Sequence, residues 1–244
     1  MISLSHVSLS LNGLPVLDDV NLTIEPGECV CISDPNGESA TALLSLLLAM
    51  ERPDTGKVTV DGVDLAALPA RIIRHYRRGL GIMSVEDDEN SFIPSLFPER
   101  NIAENIAFPL RAVRLPCREI EKRVAELLLH IGLLHLAASF PKELNPLERR
   151  KILLARALAQ DPAILLLVEP LTALPAEGRI EMLSLLKEEH RKGKTLFIFT
   201  KEESIARTFG GRMLRFAQGK LLETRASAPL SPPRAPAHIT PLPV

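Results

Sequence analysis

Cysteine is scarce in this 244-residue sequence, and Cys29, Cys31 and Cys117 form an odd set without a paired spacing. That excludes a disulfide framework and points to a reducing compartment. An excess of either charge is missing as well. Lys and Arg number 29 against 30 Asp and Glu, a formal net charge of −1, so no global electrostatic footprint recommends nucleic acid as a partner. No apolar run reaches the length of a membrane span, and the opening residues alternate like a strand instead of forming a signal-peptide core. The chain is therefore expected in the cytosol, reaching any membrane by docking. Lysine is absent before Lys57, and Gln160 and Gln218 are the only glutamines. What is present is enough chain for one large domain, or a domain with a sub-domain, around a sizeable core.

Residues 2 to 10 and 15 to 25 are β-rich runs joined by Asn12-Gly13, a dipeptide that tolerates the positive φ of a tight hairpin. A short apolar strand, ECVCIS (28 to 33), leads through a turn-like stretch into an apolar helix from Ala40 to Met50. Pro53 to Gly56 reads as a turn, and residues 57 to 65 as two short strands about Asp61-Gly62. From about 99 to 159 the pattern is almost wholly helical. Beyond 163, the strands AILLLV and TLFIFT flank an amphipathic helix over 176 to 192, an alternation that implies a parallel sheet with crossover helices. The expected organisation is a core from 1–84 and 161–225, a helical sub-domain over 85–160, and a disordered proline-rich tail over 226–244. A proline-rich ligand for a partner domain is the other reading of that tail.

In order and spacing, these pieces resemble the ABC-transporter ATPase family across roughly residues 1 to 223. VSLSLNGLPVLDDVNLTIEPGECVCIS is similar to the family's opening strands, and RPDTGKVTVDGVDL to the turn and hairpin after its phosphate-loop helix. LFPERNIAENIAFPLR is similar to the start of its helical sub-domain, and LLARALAQDPAILLLVEP to the helix and strand before its catalytic glutamate. The resemblance implies an α/β fold of the P-loop type, with an antiparallel β edge, a parallel core sheet and the inserted helical sub-domain. ENIAFPLR leans toward systems that move lipids or other apolar cargo.

The family's phosphate loop, G-x-x-x-x-G-K-[ST], brings backbone N–H groups and a lysine to the phosphates and a hydroxyl to Mg²⁺. The matching segment here is Asp34-Pro35-Asn36-Gly37-Glu38-Ser39-Ala40-Thr41. Gly37 and Thr41 keep their positions, while Ala40 stands where the lysine belongs and Asp34 where the first glycine belongs. A charge-assisted hydrogen bond is worth about 1.5–3 kcal/mol, so the missing lysine alone weakens nucleotide by about one to two orders of magnitude. Asp34 is expected to point into solvent, and Glu38 to cap the helix that follows.

Other family positions have changed too. Val168 replaces the aspartate that holds Mg²⁺ through water, whereas Glu169 matches the general base. Glu169 is either a vestigial base or an ordinary polar residue at a strand end. Leu144-Asn145-Pro146-Leu147-Glu148 stands for the Leu-Ser-Gly-Gly-Gln signature and reads as a helix start with Asn145 as N-cap. Pro175 replaces the D-loop aspartate, Lys201 and Glu202 follow TLFIFT where a histidine is expected, Leu11 lies at the adenine-stacking position, and no glutamine is placed for the Q-loop. Arg71, Arg74, Arg77 and Arg78, with Glu99-Arg100, are expected to be solvated charges.

These replacements lead to the expectation of a catalytically degenerate subunit that scaffolds or regulates an ABC complex for lipid or other apolar cargo. No cofactor is expected, with ATP and Mg²⁺ bound weakly if at all, and no resident metal. The family implies transmembrane permease subunits and a homodimer or heterodimer of cassettes at the cytoplasmic face of the inner membrane, and no nucleic acid. The alternatives are a weak ATP-binding or ATP-hydrolysing subunit acting with an active partner, and a soluble regulator. In the former, a composite site lacks either a phosphate loop or a signature, so its chemistry departs from the familiar one.

Overall fold

The computed structural model describes residues 1–85 and 95–224. The acidic run Glu86-Asp87-Asp88-Glu89 and the tail over 226–244 lie outside the described residues. The chain divides into two compact units, one made of Met1–Arg77 with the chain from His190 on, the other of Arg78–Glu189.

The first unit opens with β1 (Ile2–Leu11) and β2 (Leu14–Ile24), antiparallel about Asn12 and Gly13, whose φ values of 51° and 79° are those of a tight hairpin turn. Strands β4 (Thr55–Val60) and β5 (Val63–Asp64) complete a four-stranded antiparallel sheet in the order β2-β1-β4-β5. The buried residues of β1 change phase along the strand, from Ile2 and Leu4 to Val7 and Leu9. A bulge explains the change. Leu4 pairs with Leu22 but Val7 with Val20, so β1 carries one extra residue there, and His6 takes a φ of 53°. Gly56 lies against this bulge, where a Cβ would come within 2.2 Å of the His6 carbonyl oxygen.

In the same unit β3 (Cys29–Ser33) is buried along its whole length between two parallel neighbours, β8 (Thr195–Thr200) and β9 (Arg212–Ala217), and β10 (Lys220–Thr224) pairs antiparallel with β9. A strand covered on both faces reads as a continuous apolar run, as CVCI does. It feeds α1 (Glu38–Leu47), buried on nearly every side with Leu43, Leu46 and Leu47 at its centre. Helix α2 (Ala70–Arg78) closes the far end of α1. The Tyr76 hydroxyl donates to Leu47 O at 2.7 Å, and Arg77 donates to Leu48 O at 2.6 Å and Ala49 O at 2.9 Å. Burial pushes the Tyr76 phenol far above its ordinary range. Arg77 is thus a cap on orphan carbonyls and not one of a solvated charge cluster, because the last turn of a buried helix needs donors.

In the second unit β6 (Leu80–Ser84) pairs in parallel with β7 (Ile164–Val168), and helices α3 (Ile102–Ala112), α4 (Cys117–His130), α5 (Pro146–Ala157) and α6 (Ala176–Arg191) follow the helical pattern of the sequence. Asn101 and Glu104 form a reciprocal capping box at the start of α3. One turn on, the fully buried Asn105 accepts from Phe97 N at 2.7 Å and donates to Phe97 O, Arg100 O and Asn101 O at 3.0–3.1 Å. A single side chain therefore satisfies the backbone of the segment entering the helix. Beside it the Arg100 guanidinium lies over the rings of Phe97 and Phe108, 5.0 and 5.3 Å from their centroids.

Truncating Asn105 takes the side-chain partner from Phe97 N and Arg100 O, while Phe97 O and Asn101 O keep the N–H groups of Arg100 and Asn105, at about 1–3 kcal/mol for each buried group left unsatisfied. Asn105→Ala is expected to lower the unfolding free energy in urea by at least about 2 kcal/mol. A loss below about 0.5 kcal/mol would mean that the segment is held by other contacts.

Candidate functional site

The loop between β3 and α1 carries the phosphate-loop positions, and its geometry is set by one carboxylate. Asp34 is 4% exposed; its N–H donates to Thr200 O at 2.9 Å, its Oδ1 accepts from Asn36 N at 3.3 Å and its Oδ2 accepts from Ala40 N at 2.9 Å. Ala40 N–H is one of the first-turn donors that no carbonyl of the helix can reach. This reverses the expectation drawn from the sequence. Asp34 is the buried anion at the helix start, while Glu38 is exposed and the N-cap residue, Gly37, has no side-chain cap. The reason is enclosure: a carboxylate at the end of a buried strand, little exposed to water in this rotamer, takes the nearest free N–H groups instead.

Gly37 has φ 79° and ψ −12°, the left-handed geometry that turns the chain into α1. Thr41 is exposed and its hydroxyl donates to Gly37 O at 2.7 Å, so it is spent on the helix's own backbone. Ser39, at the position of the second glycine, donates to Val16 O at 2.9 Å and ties the loop to β2. Lys201, at the end of β8, lies across the loop: a Cβ built on Gly37 would stand 2.9 Å from Lys201 Cε and 3.7 Å from its Nζ. Sequence reasoning assigned Lys201 only as a missing histidine. Nothing local signals that a residue so distant in sequence brings its cation to this turn.

In the second unit Glu169 follows β7 at the tip of a tight turn, with φ 52° and 6% exposure. The Thr172 hydroxyl donates to its Oε2, and Arg150 of α5 donates to the Thr172 carbonyl. Burial lowers the Arg150 pKa, and the nearby Glu169 charge works against that shift. Glu169 is therefore an oriented carboxylate in a dry, charged setting, able to accept a proton or a water hydrogen bond. The neighbouring Val168 offers no metal ligand. Neither Thr172 nor Arg150 was singled out from the sequence, since each acts only through the turn they share.

Helix α5 starts as the sequence implied. Asn145 Oδ1 accepts from Leu147 N at 3.0 Å and Glu148 N at 2.9 Å, and Glu148 returns a bond to Asn145 N at 2.9 Å. Pro146 occupies the first helical position. The one mixed cluster of possible metal ligands among the described residues is His130 with Glu188 and Glu189, their ligand atoms within 4.8 Å of one another. The His130 ring lies beside both carboxylates, at 3.7 Å from Glu188 and 3.1 Å from Glu189.

The model of the ABC transporter family matches residues 17–172. The chain belongs to that family. It is 35% identical over 209 residues to the methionine import ATP-binding protein MetN of Leifsonia xyli, covering 85% of this chain and 59% of that protein. It is 33% identical over 230 residues to MetN 2 of Rhodopseudomonas palustris, covering 93% and 59%. Among solved structures, the ATP-binding cassette MJ0796, in a post-hydrolysis dimer bound to ADP and Pi, matches with a TM-score of 0.79 at 27% identity, over 93% of this chain and 100% of that one. This cassette fold confirms the α/β architecture with its antiparallel sheet and parallel core. The chain spans about three-fifths of the length of the curated relatives it matches first.

These relatives overturn the expectation of a degenerate scaffold for lipid cargo, because they are named as methionine import ATP-binding proteins. The segment that suggested apolar cargo has a structural explanation. In ENIAFPLR, Glu104 and Asn105 cap and pin the entry to α3, while Ile106, Ala107 and Leu110 fill its buried face. The ABC family hydrolyses ATP with Mg²⁺. In the conformation described, Asp34 accepts the Ala40 N–H and the Thr41 hydroxyl donates to Gly37 O.

Asn145→Ala removes the side-chain half of the α5 box, the bonds accepted from Leu147 N and Glu148 N, and is expected to cost about 1 kcal/mol of unfolding free energy. A denaturant midpoint identical to that of the unaltered chain would show that Pro146 and the retained Glu148 bond hold the helix start.

Proposed function

We propose that this chain is the ATP-binding subunit of an ABC importer for a small polar cargo of the methionine kind. It acts beside a partner cassette and beneath a permease at the cytoplasmic membrane face, and it holds nucleotide more weakly than a cassette with a complete phosphate loop. The observation that carries this reading is the 35% identity to a methionine import ATP-binding protein over 85% of the chain. Two features of the chain support it. Glu169 keeps the base position as a buried carboxylate oriented by Thr172, and Lys201 brings a cation to the phosphate-loop turn that lacks its own lysine.

The test is uptake by the complex purified with this chain and reconstituted in vesicles. ATP inside the vesicles should drive accumulation of labelled methionine or a close amino-acid analogue, and omission of this subunit should abolish it. Undiminished uptake without the subunit sinks the reading. In the same vesicles Glu169→Gln is expected to slow uptake at least about tenfold with assembly intact, the scale of a lost general base. Unchanged uptake would remove hydrolysis from this subunit's share of the work.

A further inference from the structure

The phosphate-loop positions of this chain are filled from within. We propose that the Asp34 carboxylate is an intrachain occupant of the phosphate cradle, so that a nucleotide enters only by displacing it. The proposal deepens the reading of the chain as an ATP-binding subunit and rests on it.

Three observations meet at this loop. Asp34 is 4% exposed and accepts two backbone N–H bonds, from Asn36 and from Ala40. The second donor belongs to the first turn of α1, where the helix dipole favours negative charge and where a bound phosphate would otherwise receive the bond. The carboxylate thus has the sign, acceptor geometry and position of a phosphate oxygen, and the two cannot hold the Ala40 N–H together. Lys201 crosses the same turn at Gly37, so the loop has a cation from the residue after β8 as well as the carboxylate from the residue after β3. Pro35 and Asn36 beside Asp34 are exposed, which leaves the carboxylate a way out by rotation of its own side chain. A carboxylate that merely caps the helix would make the same bonds without affecting affinity for phosphate compounds, and this difference is what an experiment can read.

The test uses the full chain in five forms: unaltered, Asp34→Gly, Asp34→Asn, Ala40→Lys, and the double variant Ala40→Lys with Asp34→Gly. Titration calorimetry with inorganic pyrophosphate and separately with Mg-ATP gives the affinities, and a thermal melt of each form checks its fold. Asp34→Gly is expected to bind pyrophosphate at least about tenfold more tightly than the unaltered chain, and the double variant to bind Mg-ATP at least about tenfold more tightly than Ala40→Lys alone. Asp34→Asn keeps the acceptor oxygen without the charge and should fall between. If Asp34→Gly does not fold, Asp34→Asn decides, and no gain in it overturns the proposal. Equal affinities with and without Asp34, or no binding of either ligand to folded variants, overturn it too. Tighter pyrophosphate with no Mg-ATP binding in the double variant leaves the displacement standing and overturns the reading of the subunit as ATP-binding.

Discussion

A helix that begins against a buried strand starts with N–H groups that neither water nor its own turns can satisfy, and α1 begins in this way directly after β3. Asp34 meets that demand, and the rest of the loop follows from it. Gly37 turns the chain with a positive φ, Ser39 reaches back to β2, and Thr41 bonds within the helix. The other end of α1 faces the matching problem with carbonyls, and Tyr76 and Arg77 solve it from α2. The second unit repeats the theme at α3 and α5, where Asn-and-Glu capping boxes engage the first N–H groups.

The resemblance to the ABC family places two of these helix starts, α1 and α5, at positions whose counterparts there meet nucleotide. In this chain both are engaged by their own side chains, a carboxylate in one and a carboxamide in the other. A charge-assisted bond to a backbone N–H is among the stronger hydrogen bonds, so a ligand must offer at least as much to replace it. The general-base position is treated differently. Glu169 is retained, buried and oriented by the turn that carries it, with Arg150 nearby as a positive charge. Against the family's motif, the phosphate-loop segment thus differs in residues while a glutamate stands at the base position.

The family could be read from the sequence because its landmarks are local. Apolar runs of strand length, the Asn12-Gly13 turn, the capping signature at Asn145 and the segment LLARALAQDPAILLLVEP each depend on neighbours a few residues away, and each takes the expected form. The lean toward lipid cargo failed because ENIAFPLR was read as a trait of function when its residues cap and fill the start of α3.

The sequence by itself determined the opening hairpin, the strands ECVCIS, AILLLV and TLFIFT, the helical stretch from about 99 to 159, and the replacement of the loop lysine by Ala40, since periodicity and motif spacing are properties of the chain. Only the tertiary structure decided what the replacements do. Whether Asp34 faces water or a backbone donor depends on how strand and helix enclose it, Lys201 meets Gly37 because β8 lies beside β3, and Arg150 approaches Glu169 because α5 packs near the turn after β7. Each is a contact between residues far apart in the chain, and charge and hydrogen bonding act through space, so no local pattern could announce them.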